Sequence, residues 1–221
     1  MTETASLAAP RVQDLLGEAA AWRLLGLLFE RPREGWWQEV ESLRREVHDS
    51  EISAAVEAAQ EEASEGLYLA LLGPGGVVSP REVSYRGMND PGQVLSDIRA
   101  FYEAFAFGPE TEEAPDHIAV EASFMGYLRL KEAYARARGS KEEAEVASQG
   151  ATRFCEEHLS TLAWPLAARS EKTEVRYLSL AARALAPRTG PRPAEHPAGE
   201  SPLPLCDFDC PLDCSQESGS S

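Results

Sequence analysis

The most restrictive feature of this sequence is a stretch near its beginning, residues 12–30, that is apolar on nearly every side. The apolar positions are Val12, Leu15, Leu16, Ala19, Ala20, Trp22, Leu24, Leu25, Leu27, Leu28 and Phe29. A surface helix shows one apolar stripe, whereas a helix that is apolar all round must be enclosed by other elements. The stretch therefore predicts a helix at the centre of a helical bundle, and Pro32 predicts its end.

Helical spacing of apolar residues continues along most of the chain. We expect further helices over residues 36–47, 51–72, 94–105, 116–138, 140–159 and 173–185. Gly139 predicts the end of one of them, the sequence Ser140-Lys141-Glu142-Glu143 predicts a capping box, and Thr173 predicts the cap of the last helix. Trp164-Pro165 is expected to interrupt the pattern. The sequence thus predicts an all-α fold with a single helical-bundle domain over residues 1–186.

The remaining segment, residues 187–221, has a different character. It holds 7 of the 15 prolines and ends in Ser-Gly-Ser-Ser, so it cannot bury enough apolar surface to offset the entropy of ordering, and we expect disorder. Its cysteines, Cys206, Cys210 and Cys214, are weak candidates for binding a soft metal through thiolates. A structural zinc site needs four ligands, and only three cysteines lie here. Redox-active thiols and a short recognition tail remain alternatives.

Charge and hydropathy limit the classes of partner. The formal net charge of −16 argues against a nucleic-acid partner and favours cationic ones. No membrane span is expected, because Arg23 interrupts the longest apolar run before it reaches 18 residues. The first four residues carry no basic segment ahead of an apolar run, so no signal peptide is expected. Four clustered cysteines do not form a secreted disulfide framework. We therefore expect a cytoplasmic protein.

One helix start stands out for its side chains. Pro115 suits the position just before a helix, and Asp116 is a good N-cap whose charge favours the positive end of the helix dipole. His117 and Glu121 are four residues apart, so they share one helix face. Two interpretations follow: a recognition site at the mouth of a helix, or a capped helix whose first turn is simply solvated.

A second unusual segment is the long loop that starts at Gly73-Pro74-Gly75-Gly76. A glycine-rich loop raises the question of phosphate binding, but the sequence lacks GxxxxGK[ST] and has no lysine between residues 73 and 92. We therefore do not expect a nucleotide cradle. Further along, the loop carries Pro80, Glu82, Ser84 and Tyr85, and long ordered loops are often functional.

The two segments together resemble a known family. Pro115-Asp116-His117-Ile118, Glu121 and Phe124-Met125 are similar to the signature of the TorD/DmsD/NarJ family, which are redox-enzyme maturation chaperones specific for molybdoenzymes. Residues 80–85 resemble the family's Pro-x-Glu-Ser-x-Tyr-like element, with the serine displaced by one position. Ala122 departs from the family pattern, which usually has leucine there. The resemblance covers roughly residues 12–186.

This resemblance implies a cytoplasmic chaperone without catalytic residues or a cofactor of its own. Such a protein binds the apo form of a molybdenum oxidoreductase catalytic subunit, with its twin-arginine leader peptide. It assists molybdenum cofactor insertion before export or assembly. Proteins of molybdenum cofactor biosynthesis are further partners that the resemblance allows. The sequence does not identify the client enzyme.

The candidate client-binding residues are those of the two motifs: Glu82, Tyr85, Pro115, Asp116, His117 and Glu121. We expect an apolar groove to take the leader's hydrophobic segment as a helix, and acidic residues at its rim to pair with the leader's arginines. An unperturbed histidine titrates near pH 6.5, so His117 predicts a pH-dependent affinity.

Two alternatives from other functional classes remain. Asp116, His117 and Glu121 contain the side-chain types of a metal-dependent hydrolase, although such a site needs three or more converging ligands. The chain is also compatible with an adaptor that binds a mature subunit and takes no part in cofactor loading.

Overall fold

The computed structural model describes residues 11–87 and 90–192, and it confirms the predicted all-α class. The helices are α1 (Val12–Leu28), α2 (Trp36–Arg44), α3 (Ser50–Glu62), α4 (Glu65–Leu71), α5 (Pro91–Ala104), α6 (Ile118–Ala137), α7 (Lys141–Phe154), α8 (Ser160–Ser170) and α9 (Arg176–Leu185). Within these described ranges the only extended pairing is an isolated antiparallel bridge between Arg81 and His117.

Helix α1 lies at the centre of the bundle, as its apolar pattern predicts. Leu24, Leu25 and Leu27 are completely inaccessible to solvent. Helix α1 packs along most of α6, and the two run antiparallel, because Gly26 faces Ala119 while Gly126 faces the carbonyl of Ala19. A side chain at either glycine would meet the other helix's backbone within about 3 Å. The two glycines therefore permit a close helix crossing.

The other helices complete the core around this pair. Helix α3 packs on α9, α7 packs on α6, and α2 lies beside α1. Trp36 of α2 is buried and donates its indole N–H to the carbonyl of Leu27 in α1. None of the helices in the described ranges has the length and apolar character needed to cross a membrane.

The single helix predicted over residues 51–72 is wrong, because the chain forms α3 and α4 instead. Ala63 adopts an extended conformation, and the hydroxyl of Ser64 accepts a hydrogen bond from the backbone N–H of Leu67. Serine competes for backbone donors in this way and is favoured at helix starts. High helix propensity on both sides of Ser64 concealed the break.

The interruption predicted at Pro165 is also wrong. Helix α8 continues through Pro165, and the irregularity lies earlier, in a π-helical turn at Cys155–Leu159 that joins α7 to α8. Ser140 precedes α7 but makes no side-chain cap hydrogen bond, so the predicted capping box does not form. Thr173 accepts from the N–H of Val175, which is the actual N-cap of α9.

The described chain continues past the predicted domain limit at residue 186. A 3-10 turn at Ala186–Thr189 follows α9, and Arg188 pairs with Asp49 ahead of α3. The domain limits themselves stay a prediction. Cys206, Cys210 and Cys214 lie outside the described residues.

Candidate functional site

The two sequence motifs lie against each other, although 30 residues of chain separate them. The backbone N–H of Glu82 donates to the carbonyl of Asp116 at 2.9 Å, and the N–H of Ile118 donates to the carbonyl of Pro80 at 2.9 Å. These two bonds flank the Arg81–His117 bridge. The loop segment 79–86, which we call the strap, is thereby held across the start of α6.

Asp116 is fully buried and pairs with the guanidinium of Arg81 on the strap. Its second carboxylate oxygen accepts from the N–H of Val83 at 3.3 Å. Asp116 is predicted to be the N-cap of α6, but its carboxylate binds the strap instead, so that prediction is wrong. His117 is the N-cap, and its Nδ1 accepts from the N–H of Ala119 at 3.1 Å.

His117 is held in its neutral form. It is 2% exposed, and burial lowers its pKa to about 3. Since Nδ1 accepts a hydrogen bond, the ring proton must lie on Nε2, 3.2 Å from the hydroxyl of Tyr68. Tyr68 in turn donates to Glu113 at 2.7 Å. The prediction that His117 titrates near neutral pH is therefore wrong.

Glu121 and Glu82 are both completely buried. Glu82 pairs with Arg86 and lies 3.1 Å from Nδ1 of His158. Neither carboxyl oxygen of Glu121 has a hydrogen-bond partner among the described residues. Burial raises the pKa of Glu121 well above its usual range, and the negative charges of Glu82 and Asp116 raise it further. Burial and these neighbouring charges therefore favour the protonated, neutral form of Glu121.

Tyr85 and Pro115 make hydrogen bonds that hold the backbone of the strap and the backbone just before α6. The hydroxyl of Tyr85 donates to the carbonyl of Ser79 at 2.6 Å, and Arg169 stacks over its ring. Burial raises the pKa of Tyr85. The carbonyl of Pro115 accepts from the hydroxyl of Tyr102 at 2.8 Å.

Glu82, Asp116, His117 and Glu121 form what we call the motif cluster, and it is not the exposed rim that the sequence predicts. All four side chains are at most 2% exposed, and Arg81 and Arg86 already pair with the carboxylates of Asp116 and Glu82. A guanidinium from another polypeptide has no open path to them in this conformation. In the described part of the chain, no three His, Cys, Asp or Glu side chains converge in an arrangement that would hold a metal ion.

An open groove of about 940 Å³ lies on the other side of the strap, and we call it the acidic groove. Its walls come from α4, the loop 73–81 and the loop 110–114, and His117 touches its floor. The groove carries five glutamates and three arginines: Glu30, Glu65, Glu110, Glu112, Glu113, Arg31, Arg33 and Arg81. Its charge is thus acidic overall.

The arginines of the acidic groove are already neutralised. Arg31 pairs with Glu65, Arg33 with Glu39, and Arg81 with Asp116. Glu110, Glu112 and Glu113 form no salt bridge with an arginine or lysine among the described residues, and His117 beside Glu113 is neutral. Arg31, which pairs with Glu65, also interacts electrostatically with Glu112 and Glu113. Glu110 and Glu112 are exposed and Glu113 is half-buried. We call these three the acidic run.

Reasoning from the sequence missed the acidic run as a candidate site, although its signal was present. The linker from Gly108 to Ala114 is acidic and leads directly into the motif at Pro115. It reads as an ordinary solvated loop, because nothing in the local sequence shows that it lines a groove. Tyr68, which joins the run to His117, falls inside the helix predicted over residues 51–72, and no local pattern sets it apart.

Comparison with known proteins shows which family this chain belongs to. A family described as nitrate reductase delta subunit matches residues 30–165, which include both motifs. This chain belongs to the nitrate reductase delta subunit family. The match confirms the resemblance to the TorD/DmsD/NarJ chaperones. Within the described chain, the strap, the motif cluster and the acidic run all fall inside the matched residues.

Two relatives of this nitrate reductase delta subunit family member are assembly chaperones. A chlorate reductase assembly chaperone protein from Ideonella dechloratans is 32% identical over 122 residues, which are 52% of this chain and 62% of the relative. A selenate reductase assembly chaperone protein from Thauera selenatis is 27% identical over 165 residues, which are 72% of this chain and 79% of the relative.

The fold of the family member has a counterpart among solved structures. A crystal structure of an Archaeoglobus fulgidus protein assigned to redox enzyme maturation superposes with a TM-score of 0.51. The superposition covers 85% of this chain and 98% of the other, at 14% sequence identity. At this identity the likeness shows the fold alone.

Proposed function

We propose that this member of the nitrate reductase delta subunit family is a cytoplasmic assembly chaperone that performs no catalysis of its own. It binds the apo form of a molybdenum oxidoreductase catalytic subunit, including its twin-arginine leader, and assists cofactor insertion before export or assembly. The two relatives support the class of function, because both are named as assembly chaperones of oxidoreductases.

One observation carries the assignment of the client site. The acidic run places three carboxylates that form no salt bridge with an arginine or lysine of the described residues along one wall of an open groove. A pair of client arginines would supply the missing charge, and bidentate arginine–carboxylate contacts are among the strongest hydrogen bonds in proteins. The net charge of −16 also draws a cationic segment towards the protein before contact.

The motif cluster has a positioning role in this proposal. Asp116 holds Arg81, and Arg81 with Pro80 forms part of the groove wall. If Asp116 did not neutralise Arg81, that guanidinium would compete with client arginines for the acidic run. The motif therefore shapes the groove and keeps its own arginine out of the way.

The proposal is tested by neutralising the acidic run with Glu110→Gln, Glu112→Gln and Glu113→Gln in one variant. The matched control carries Glu142→Gln, Glu143→Gln and Glu145→Gln, three exposed positions on α7 that change the net charge equally. The measurement is the affinity for a fluorescent peptide with two arginines followed by ten leucine and alanine residues, in 50 mM and 300 mM salt.

We expect the groove variant to bind the peptide at least about tenfold more weakly than the parent in 50 mM salt, since two charge-assisted contacts are lost. The control should stay within about twofold, and added salt should reduce the difference. Equal losses in both variants would show that only the overall charge attracts the peptide, and the acidic groove would not be the site.

Cofactor insertion needs a separate measurement on the client enzyme. The client catalytic subunit, expressed with the parent protein, should contain more molybdenum than when it is expressed with the groove variant or alone. A client with full molybdenum content in all three cases would instead indicate an adaptor that has no role in cofactor loading.

A further inference from the structure

The one cysteine among the described residues lies at an irregular point of the fold. Cys155 begins the π-helical turn Cys155–Leu159 that joins α7 to α8, and its side chain is half-buried. Such π-helical turns are rare and are frequently found at functional sites. Cys155 also lines a groove of about 550 Å³, whose walls include α1, α6, α7 and the last residues that the structure describes. We call it the cysteine groove.

The described chain ends at the rim of this groove. Arg188 and Gly190 line it, and the carbonyl oxygen of Arg188 lies 3.9 Å from Sγ of Cys155. The indole N–H of Trp164 donates to the carbonyl of Gly190 at 3.3 Å, which holds the chain at this place. The segment that begins at residue 193 is therefore attached beside Cys155.

The other three cysteines of the chain all belong to that segment. Cys206, Cys210 and Cys214 are spaced four residues apart, and Cys206 lies 14 residues after Arg192. A flexible chain of that length has a root-mean-square span of about 20 Å, and a fully extended one reaches about 46 Å. The segment is therefore long enough to bring all three thiols back to Cys155.

Four thiols are the ligand set of a common structural zinc site, which is tetrahedral and closed. Neighbouring ligands in such sites are typically separated by two to four residues, and three residues separate each neighbouring pair among Cys206, Cys210 and Cys214. Three cysteines leave one of the four coordination positions empty. Cys155 has the chemistry to fill it, and the fold places it where the segment begins.

The cysteine groove supplies a cation next to this sulfur. A zinc ion with four thiolates carries a net negative charge, which a neighbouring cation stabilises. Arg129 lines the groove. Although its Nε lies 3.3 Å from a carboxylate oxygen of Glu18, this atom is buried and makes no hydrogen bond among the described residues. That N–H is therefore available to an acceptor, and hydrogen bonds from neighbouring groups commonly orient metal ligands.

Cys155 is better suited to binding a metal than to acting as a nucleophile. Burial raises the pKa of its thiol to about 11, and the charge of Arg129 only partly opposes that rise. The thiol therefore keeps its proton near neutral pH, whereas the thiolate is the reactive form. A zinc ion displaces this proton when it binds, because a coordinated thiol is deprotonated.

We propose that the four cysteines of this chain together bind one zinc ion, with Cys155 as the ligand that anchors the ion to the helical fold. The ion ties the segment after Arg192 back to the cysteine groove. The described residues alone supply a single thiol and no group of three metal ligands, so the site needs that segment. This inference is independent of the proposed function, because the cysteine groove and the acidic groove share no lining residue.

The segment contains one competing ligand. His196 lies ten residues before Cys206, and three cysteines with one histidine also form structural zinc sites. A site of that kind would lie entirely within the segment and would leave Cys155 unaffected. The experiment therefore has to distinguish Cys155 from His196 as the fourth ligand.

The first measurement counts the thiols that zinc protects in the unmodified, full-length chain. The reduced, metal-free protein is treated with N-ethylmaleimide with and without equimolar zinc, and the labelled peptides are identified by mass spectrometry. We expect zinc to slow the labelling of all four cysteines by at least about tenfold, because a zinc-bound thiolate is not free to attack. Protection of Cys206, Cys210 and Cys214 without protection of Cys155 would overturn the proposal.

The second measurement replaces zinc by cobalt(II), whose thiolate charge-transfer absorption grows with the number of bound thiolates. Cys155→Ser should lower this absorption by about a quarter and weaken zinc binding at least about tenfold, because one of the thiolate ligands is lost. Thr152→Ser changes a side chain on the wall of the same groove and keeps every thiol, so it should alter neither quantity. His196→Ala should also leave both unchanged.

Each contrary result has a distinct meaning. Cobalt absorption that persists in Cys155→Ser and falls in His196→Ala would place the site within the segment alone and overturn the proposal. A reduced parent protein that binds no zinc would overturn it as well. Iron and inorganic sulfide in the purified protein would replace zinc by an iron–sulfur cluster.

Thermal unfolding without metal checks that Cys155→Ser is folded, and the labelling of the unmodified chain decides the question if it is not. Peptide affinity at the acidic groove should be the same in the parent and in Cys155→Ser. Failure of the zinc site would therefore leave the proposed function standing, and failure of the proposed function would leave the zinc site standing.

Discussion

The motif cluster and the acidic run hold neighbouring carboxylates in opposite environments. Asp116 lies three residues after Glu113, yet Asp116 is fully buried and paired with Arg81, whereas Glu110 and Glu112 are exposed and form no salt bridge among the described residues. The buried carboxylates are already satisfied or neutral, so they can shape a surface but have little charge to offer another molecule. The exposed ones keep their charge available. The comparison supports the proposal that the conspicuous motif builds the site and that the run beside it contacts the client.

The largest expected effect comes from removing a buried carboxylate. Asp116→Ala leaves Arg81 and the N–H of Val83 without their partner, so we expect the free energy of unfolding to fall by about 3 kcal/mol. Glu112→Ala, an exposed carboxylate in the acidic run, should change it by less than about 0.5 kcal/mol. Urea unfolding measures both, and equal effects would remove the distinction between the two regions.

The second effect concerns the close crossing of α1 and α6 at Gly126. Gly126→Ala places a methyl group about 2.9 Å from the carbonyl of Ala19, so we expect a loss of about 2 kcal/mol through overpacking. Gly17→Ala has no atom within 4 Å of the new methyl group and should stabilise α1 by up to about 1 kcal/mol. Thermal unfolding distinguishes them, and a stable Gly126→Ala protein would show that the two helices do not approach closely.

The third effect depends on pH and reports the titration of Glu121 alone. The folded protein keeps a proton on Glu121 that the unfolded chain releases above its ordinary pKa of 4.5. The folded state is therefore disfavoured by about 1.4 kcal/mol for each pH unit above that value, up to the raised pKa of the folded state. Glu121→Gln removes the titration, so its stability relative to the parent should rise as the pH increases above 4.5.

Below pH 4.5 the parent and Glu121→Gln should have nearly equal stability, because both then carry a neutral side chain. The measurement is the difference in free energy of unfolding at several pH values. A difference that does not change with pH would mean that Glu121 is ionised in the folded protein and that the motif cluster is open to solvent.

The smallest effect concerns the residue that joins the two regions. Tyr68→Phe removes the hydroxyl between His117 and Glu113, so we expect unfolding to become easier by about 1 kcal/mol. Tyr134→Phe, which removes an exposed hydroxyl, should change stability by less than about 0.5 kcal/mol. Chemical denaturation checks the pair, and identical values would show that the two regions are not linked through Tyr68.

Local sequence patterns predicted the fold class because helical periodicity is a local property. The central position of α1 follows from its apolar residues alone, and the start of α6 was predicted to within two residues. The break at Ser64 was missed, because alanine and glutamate on both sides have strong helix propensity. Pro165 was given too much weight, since a helix can continue through one missing N–H when tertiary packing holds it.

The candidate site was harder to predict because its environment is non-local. The sequence singles out Asp116, His117 and Glu121, but their burial depends on the strap, which ends 30 residues before Asp116. The pKa of His117 reverses the expected behaviour for the same reason, since Tyr68 and the strap exclude water from the ring. Conversely, Glu110 and Glu112 look ordinary until the fold places them along a groove.

The most direct test of this account is peptide affinity in two variants that are both folded. A peptide with two arginines followed by ten leucine and alanine residues should bind Glu121→Gln as tightly as the parent, within about twofold, because the motif cluster acts through structure and glutamine resembles the protonated side chain that burial favours at Glu121. It should bind the variant with Glu110→Gln, Glu112→Gln and Glu113→Gln at least about tenfold more weakly. The opposite result, lost affinity in Glu121→Gln and full affinity in the triple variant, would mean that the motif cluster contacts the client, and it would contradict this account.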